Sequence, residues 1–259
     1  HVTDKLLFEM KATTALVTIN NQAANTWDAD NLAALESLID NLNKDPNCYS
    51  LVITGQGDKF FSAGADLNLF ADGDADHARV MADRFHSAFQ ALTRFSGVSI
   101  AAINGYAMGG GLECAMACAI RIAEQQAVMA LPEATVGLLP CGLGTQHLPW
   151  LVGEGWAKRM ILCGERVNAD TALSIGLIEE VVEKGQSLDR SLALAAMTGN
   201  QSPTSVSACK RLIMAARTGH METALANERD EFVALFSTAD QEEGVNAFLG
   251  KRKPIWKNA

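Results

Sequence analysis

VSIAAINGYAMGGGLECAMA, residues Val98 to Ala117, decides how this chain is organised. Val98 to Ile103 is small or β-branched and uncharged, the composition of a strand buried on both faces. Gly109 to Ala117 reads as a helix entered through three consecutive glycines. Working outward, Ser50 to Thr54 is a second buried strand, ended by Gly55-Gln56-Gly57. A helix from about Asp76 to Phe95 carries Val80, Met81, Phe85, Phe89 and Leu92 at helical spacing. Asp28 caps an earlier helix running to about Asn43, and Leu6 to Glu9 with Ala15 to Asn20 form a hairpin-like start. Strand and helix in alternation predict an α/β chain with a parallel sheet and crossover helices. After about Asn200 only helices follow: Pro203 to Ala216, Met221 to Phe236 and Asp240 to Leu249. The chain therefore divides into an α/β core over 1–199 and a helical region over 200–259, the latter a subdomain or an oligomerisation element.

The 259 residues are 48% hydrophobic and 20% charged, an ordinary profile for a globular protein, with a formal net charge of −9. That balance argues against nucleic-acid binding, which needs clustered Lys and Arg, while leaving room for a local basic pocket. The six cysteines contain no CxxC pair and read as reduced, buried thiols. His1, His77, His86, His147 and His220 form no metal-binding pattern. The opening residues lack the regions of a signal peptide, so a cytoplasmic address is expected, with a processed mitochondrial form as the alternative.

Chemistry is signalled where charge is absent. From Gly97 to Ile120 the sole Asp, Glu, Lys or Arg is Glu113, and from Ala127 to Gly153 it is Glu133. A solitary carboxylate in an apolar, glycine-rich segment is buried or lines a pocket, and burial favours its neutral form. Two such acids near one another are expected to be driven apart in pKa, giving one proton donor and one acceptor. The alternative is that each caps a helix or pairs with a base such as Arg121. The glycines at 109–111 and the small-residue turn FFSAGAD (Phe60 to Asp66) follow strands, so backbone N–H groups from both turns can meet a developing negative charge. Dinucleotide, phosphate-loop and nucleophile-elbow motifs are incomplete or missing.

With these residues in view, the chain resembles the crotonase, or enoyl-CoA hydratase/isomerase, superfamily. FSAGAD (Phe61 to Asp66) is similar to its first oxyanion segment and INGYAMGGGLE (Ile103 to Glu113) to its second. LPEATVGLLP (Leu131 to Pro140), followed by GTQ (Gly144 to Gln146), is similar to the segment bearing its second acid. GERVNAD (Gly164 to Asp170) and ALSIGLIE (Ala172 to Glu179) also fit, and the likeness runs from about Leu6 to Lys257.

The resemblance implies an α/β spiral of repeated ββα units with a helical C-terminal region used in trimerisation, usually in trimers paired as hexamers. It implies Glu113 and Glu133 as catalytic acids and the amides of Ala65 and Gly110 as an oxyanion hole. Ala63, Asp66 and Lys253 would contact coenzyme A, which belongs to the substrate, and no separate cofactor or metal is implied. Cys141 and Gly142 would lie near the acyl pocket, with Cys141 standing where the family commonly has glycine. Retention of both glutamates selects hydration of a 2-enoyl-CoA, as in fatty-acid β-oxidation. An isomerase, a hydratase of a branched or functionalised enoyl-CoA, and a non-enzymatic RNA-binding or scaffold member are the alternatives.

Overall fold

The computed structural model describes residues 3–259, so His1 lies outside the described residues. The chain opens with an antiparallel hairpin, β1 (Leu6–Lys11) and β2 (Thr14–Ile19), with a tighter turn than the sequence suggests. Helix α1 (Ala29–Lys44) follows, its start fixed by a capping box between Asp28 and Asn31.

Three ββα turns then succeed one another. The first is β3 (Ser50–Gly55), β4 (Phe60–Ser62) and α2 (Ala75–Thr93). The second is β5 (Val98–Ile103), β6 (Tyr106–Met108) and α3 (Gly110–Ala117). The third is β7 (Ile120–Glu124), β8 (Val128–Ala130) and α4 (Gly144–Val152), with a 3₁₀ turn at Glu133–Val136 before the helix. Helix α5 (Glu154–Leu162), strand β9 (Val167–Asn168), α6 (Ala169–Ile175) and β10 (Glu180–Val182) complete the core.

The two strands of each turn go to different sheets. One sheet has the order β1-β2-β3-β5-β7-β10 and is parallel from β2 onward. The other has the order β4-β6-β8-β9, with β4, β6 and β8 parallel and β9 antiparallel. The expected spiral of ββα units is thus the observed architecture.

Side-chain alternation explains how the large sheet is covered. Leu51, Ile53, Ala101 and Ile103 face the main core with α1 and α2. Val52, Ile100 and Ile122 point the other way, against Leu188, Leu192 and Ala195 of α7 (Ser187–Thr198). Both faces are buried, which is why these strands read as continuous apolar runs.

Three helices follow: α8 (Pro203–Ala215), α9 (Met221–Leu235) and α10 (Ala239–Leu249). They leave Ile213, Phe232, Phe236, Phe248 and Leu249 exposed. All six cysteines are unpaired, but Cys163 and Cys209 are exposed rather than buried as composition suggested. Among the described residues no helix is long and apolar enough to cross a membrane.

Candidate active site

The small sheet builds the site. Its parallel strands β4, β6 and β8 lie side by side, and the chain leaving each one enters the same cavity. Ala63 and Ala65 follow β4, Gly109 to Glu113 follow β6, and Pro132 and Glu133 follow β8; Ala63, Ala65, Gly109, Gly110, Glu113, Pro132 and Glu133 line a cavity of about 420 Å³. Loops beyond the carboxyl ends of parallel strands are where α/β proteins place ligands, because each strand delivers its next residues to one edge.

The turn after β4 is pressed against the turn after β6. Trp27 N–H donates to the Gly64 carbonyl at 2.8 Å, and Asp66 N–H donates back to the Trp27 carbonyl at 3.2 Å, clamping Ala65 between them. Gly64 has φ +103°, and a Cβ there would stand 2.8 Å from the Met108 carbonyl oxygen and 3.1 Å from Gly110 N. Only glycine meets both demands. The Ala65 nitrogen is 3.6 Å from the point a Gly110 Cβ would occupy, so the two amides are neighbours. Gly110 opens α3, where an N–H has no partner within the helix. Among the described residues, neither the Ala65 nor the Gly110 amide donates a hydrogen bond.

Glu113 sits in the first turn of α3, a helix whose residues are all buried. Its Oε2 accepts a hydrogen bond from Gly144 N–H at 2.8 Å. That amide is aimed by Leu143, a residue held at φ +77° at the start of α4. Such left-handed strain in a leucine costs about 1–3 kcal/mol and marks a backbone that the surroundings over-determine. Gly142 stands behind the same carboxylate, and a Cβ there would be 2.9 Å from Oε1. Glu133 begins the 3₁₀ turn, and its Oε1 is buried without a hydrogen-bond partner.

Burial dominates the electrostatics. It pushes the Glu113 carboxyl up to about 8, helped by the charge of Glu133 and partly opposed by the Gly144 and Gly142 amides. It pushes Glu133 up to about 7. Their isolation in sequence predicts values driven apart; in the structure both rise, because both groups lose water. Between these values the pair holds about one proton, to be assigned to the pair as a unit. Cys141 lines the cavity as a thiol, raised to about 11 by burial and by the two carboxylates. Arg121 pairs with Glu179 at 2.6 Å and also donates to backbone carbonyls, so it neutralises neither cavity acid.

Two expected contacts are not brought to this cavity. Asp66 accepts from the backbone and side chain of Asn68 and caps the 3₁₀ turn Leu67–Phe70. Lys253 lies exposed on the C-terminal tail, outside the cavity lining. Conversely, the clamp from Gly144 and the lining by Phe70, Ala82 and Phe85 were not singled out from sequence. Phe85 carries a helical-face signal in the sequence, but that spacing does not distinguish a core residue from one lining a cavity. Among the described residues no group of three or more potential ligands is placed to hold a metal.

Residues 9–259 match the sequence profile of enoyl-CoA hydratase/isomerase. The chain belongs to that family. Members similar to it include a short-chain-enoyl-CoA hydratase of Clostridium acetobutylicum, 35% identical over 251 residues, 96% of each chain. A 2,3-dehydroadipyl-CoA hydratase of Escherichia coli is 36% identical over 256 residues, 98% of each. Among solved structures, Pseudomonas aeruginosa DspI superposes with a TM-score of 0.96 at 63% identity, covering 98% of this chain and 97% of that one. The family's fold therefore extends over nearly the whole chain.

Proposed function

We propose that this protein is an enoyl-CoA hydratase, adding water across the 2,3-double bond of a 2-enoyl-CoA thioester. The observation that carries the reading is a buried and a half-buried carboxylate, together holding about one proton near neutral pH, in one cavity with two unpartnered backbone amides. In this reading the Ala65 and Gly110 N–H groups hold the thioester carbonyl oxygen. Water bound between Glu113 and Glu133 attacks Cβ, and the ionised carboxylate takes its proton. The π electrons move to the carbonyl oxygen as an enolate, stabilised by the two amides, each worth about 10²–10³-fold. The protonated carboxyl then delivers its proton to Cα, so H and OH are added and the pair regains its starting charge.

Family analogy makes Glu113 the principal water-holding base and Glu133 the Cα acid. The free oxygen of Glu133 and the amide-held Glu113 suit that division, while their similar pKa values favour a shared proton. The chemistry needs no cofactor beyond the coenzyme A of the substrate. Ala63 in the cavity wall is suited to contact that group. For Asp66 and Lys253 such a contact remains the family expectation, with Lys253 reaching a neighbouring subunit's ligand. The exposed apolar faces of α8 to α10 suit the helical region 200–259 to trimer or hexamer assembly. By family analogy the reaction would belong to fatty-acid β-oxidation in the cytoplasm.

The test is the loss of conjugated-thioester absorbance when the purified protein meets crotonyl-CoA. A fall with 3-hydroxybutyryl-CoA as product supports the hydratase. Migration of the double bond without addition of water would favour an isomerase. Inactivity towards every enoyl thioester, with a salt-sensitive RNA gel shift, would favour the non-enzymatic alternative.

A further inference from the structure

The Ala65 amide serves a reacting carbonyl only if something aims it, and Gly64 cannot. A glycine has no side chain to restrict its ψ, so sterics alone let the peptide between Gly64 and Ala65 turn. That peptide is planar and trans, so its C=O and its N–H point in opposite directions. Trp27 N–H holds the Gly64 carbonyl at 2.8 Å. The Ala65 N–H is thereby turned away from Trp27, towards the cavity that Ala65 lines. The direction of the amide is set by the direction of Trp27 N–H.

The same geometry holds one peptide further back. Trp27 N–H shares its peptide with the Thr26 carbonyl, which points the opposite way. Two side chains hold that carbonyl: Asn31 Nδ2 donates to it at 2.8 Å and Asn21 Nδ2 at 2.9 Å. Asn31 is fully buried in the first turn of α1, where its Oδ1 accepts from Asp28 N–H at 2.8 Å. The capping box needs only that oxygen; the amide nitrogen is surplus to it and serves Thr26 instead. Burying that nitrogen without a partner would be costly, so the bond to Thr26 is kept. Trp27 itself cannot swing, because its buried indole stands edge-on against Phe89 with the ring centroids 5.5 Å apart.

We infer that Asn31 is a positioning residue for the oxyanion hole, aiming the Ala65 N–H through the Thr26–Trp27 and Gly64–Ala65 peptides, with Asn21 supporting the same carbonyl. The inference rests on the hydratase reading and adds to it two side chains that line no part of the cavity.

The experiment compares the wild type with Asn31→Leu, which keeps the side-chain shape and removes both polar atoms, and with Asn21→Ala. Hydration of crotonyl-CoA gives kcat and KM. The infrared carbonyl stretch of bound butyryl-CoA, isotopically labelled at the thioester carbonyl, reports the hydrogen bonds made to that oxygen. Loss of a whole oxyanion donor costs about 10²–10³-fold in kcat. Misaiming one donor is expected to cost about 5- to 20-fold in Asn31→Leu and about two- to fivefold in Asn21→Ala, with KM within about twofold. The bound carbonyl stretch should move towards that of free butyryl-CoA in the same order. Asn21 lies outside α1 and is half-buried, so its variant gives an answer even where Asn31→Leu does not fold. A lower melting temperature with kcat and the stretch unmoved would make Asn31 a helix cap alone and overturn the inference. So would a fall in kcat with an unmoved stretch, because the bond from Ala65 would then be intact. If no enoyl thioester is hydrated, the hydratase reading fails by itself, and crystal structures of wild type and variants decide the relay. A Gly64–Ala65 peptide turned in the variants would uphold it, and an unmoved one would end it.

Discussion

Glu113 and Glu133 follow adjacent strands of one sheet, yet the chain around them is built to opposite ends. Glu113 belongs to a fully buried helix and is held by the Gly144 amide, with Gly142 packed behind it. Glu133 starts a short 3₁₀ turn with no buried residue, and one of its oxygens has no partner. Val136 and Leu139 beyond it are exposed. One carboxylate is fixed by its surroundings and the other keeps a lone pair free for a ligand. An acid–base pair gains from that asymmetry: the fixed member defines where the water sits, and the free member can follow the substrate.

The hardest blow to this comparison is removal of either acid. Glu113→Gln and Glu133→Gln are each expected to lower kcat by at least about 10²-fold while thioester affinity changes little. Glutamine keeps the shape and, at position 113, an oxygen able to accept from Gly144. In the wild type, activity should fall below about pH 7, where both groups are protonated and no base remains. It should also fall above about pH 8, where both are ionised and no acid remains. Near-normal turnover in either variant would remove that residue from the mechanism.

A smaller effect sharpens the contrast between fixed and free. A Cβ at Gly144 would stand 2.8 Å from Glu113 Oε2, against 3.5 Å for a Cβ at Gly109 from Glu133 Oε2. Gly144→Ala is therefore expected to push the Glu113 carboxylate off its amide and reduce kcat by about 10- to 100-fold, with KM less affected. If kcat stays near the wild-type value, the Gly144 contact is packing rather than positioning.

The two acids were legible in sequence for a reason that the structure explains. Each is the sole charged side chain in a long uncharged segment; for Glu113 that segment is a buried helix, whereas for Glu133 it is the partly exposed wall of the cavity. Strands β3 and β5 were legible because both are buried on both faces and read as uncharged apolar runs; β7, IRIAE with Arg121 and Glu124 in it, was not. The second sheet was not, because β4, β6 and β8 span three residues each, too short for a period-2 pattern to stand out. The Gly144 clamp was equally silent: an amide's direction depends on the left-handed turn at Leu143, and leucine carries no signal for that conformation.

The mildest expected effect lies in stability and tests the fixed acid without any substrate. An ordinary glutamate ionises near 4.5, whereas the folded protein holds the Glu113 proton to about 8. Above pH 4.5 the unfolded chain releases this proton and the folded chain keeps it, so rising pH favours unfolding until the folded group also ionises. Stability from this group is thus fully present at low pH and is lost between about 4.5 and 8. The loss shows as a fall in melting temperature through this window, shared with Glu133, whose carboxyl is also raised. Glu113→Gln cannot titrate and has no such loss. Its melting temperature should therefore decline less than that of the wild type between pH 5 and pH 8, the two curves diverging. Parallel curves would mean that Glu113 ionises as an exposed carboxylate does, and the proton shared by the pair would have to reside on Glu133.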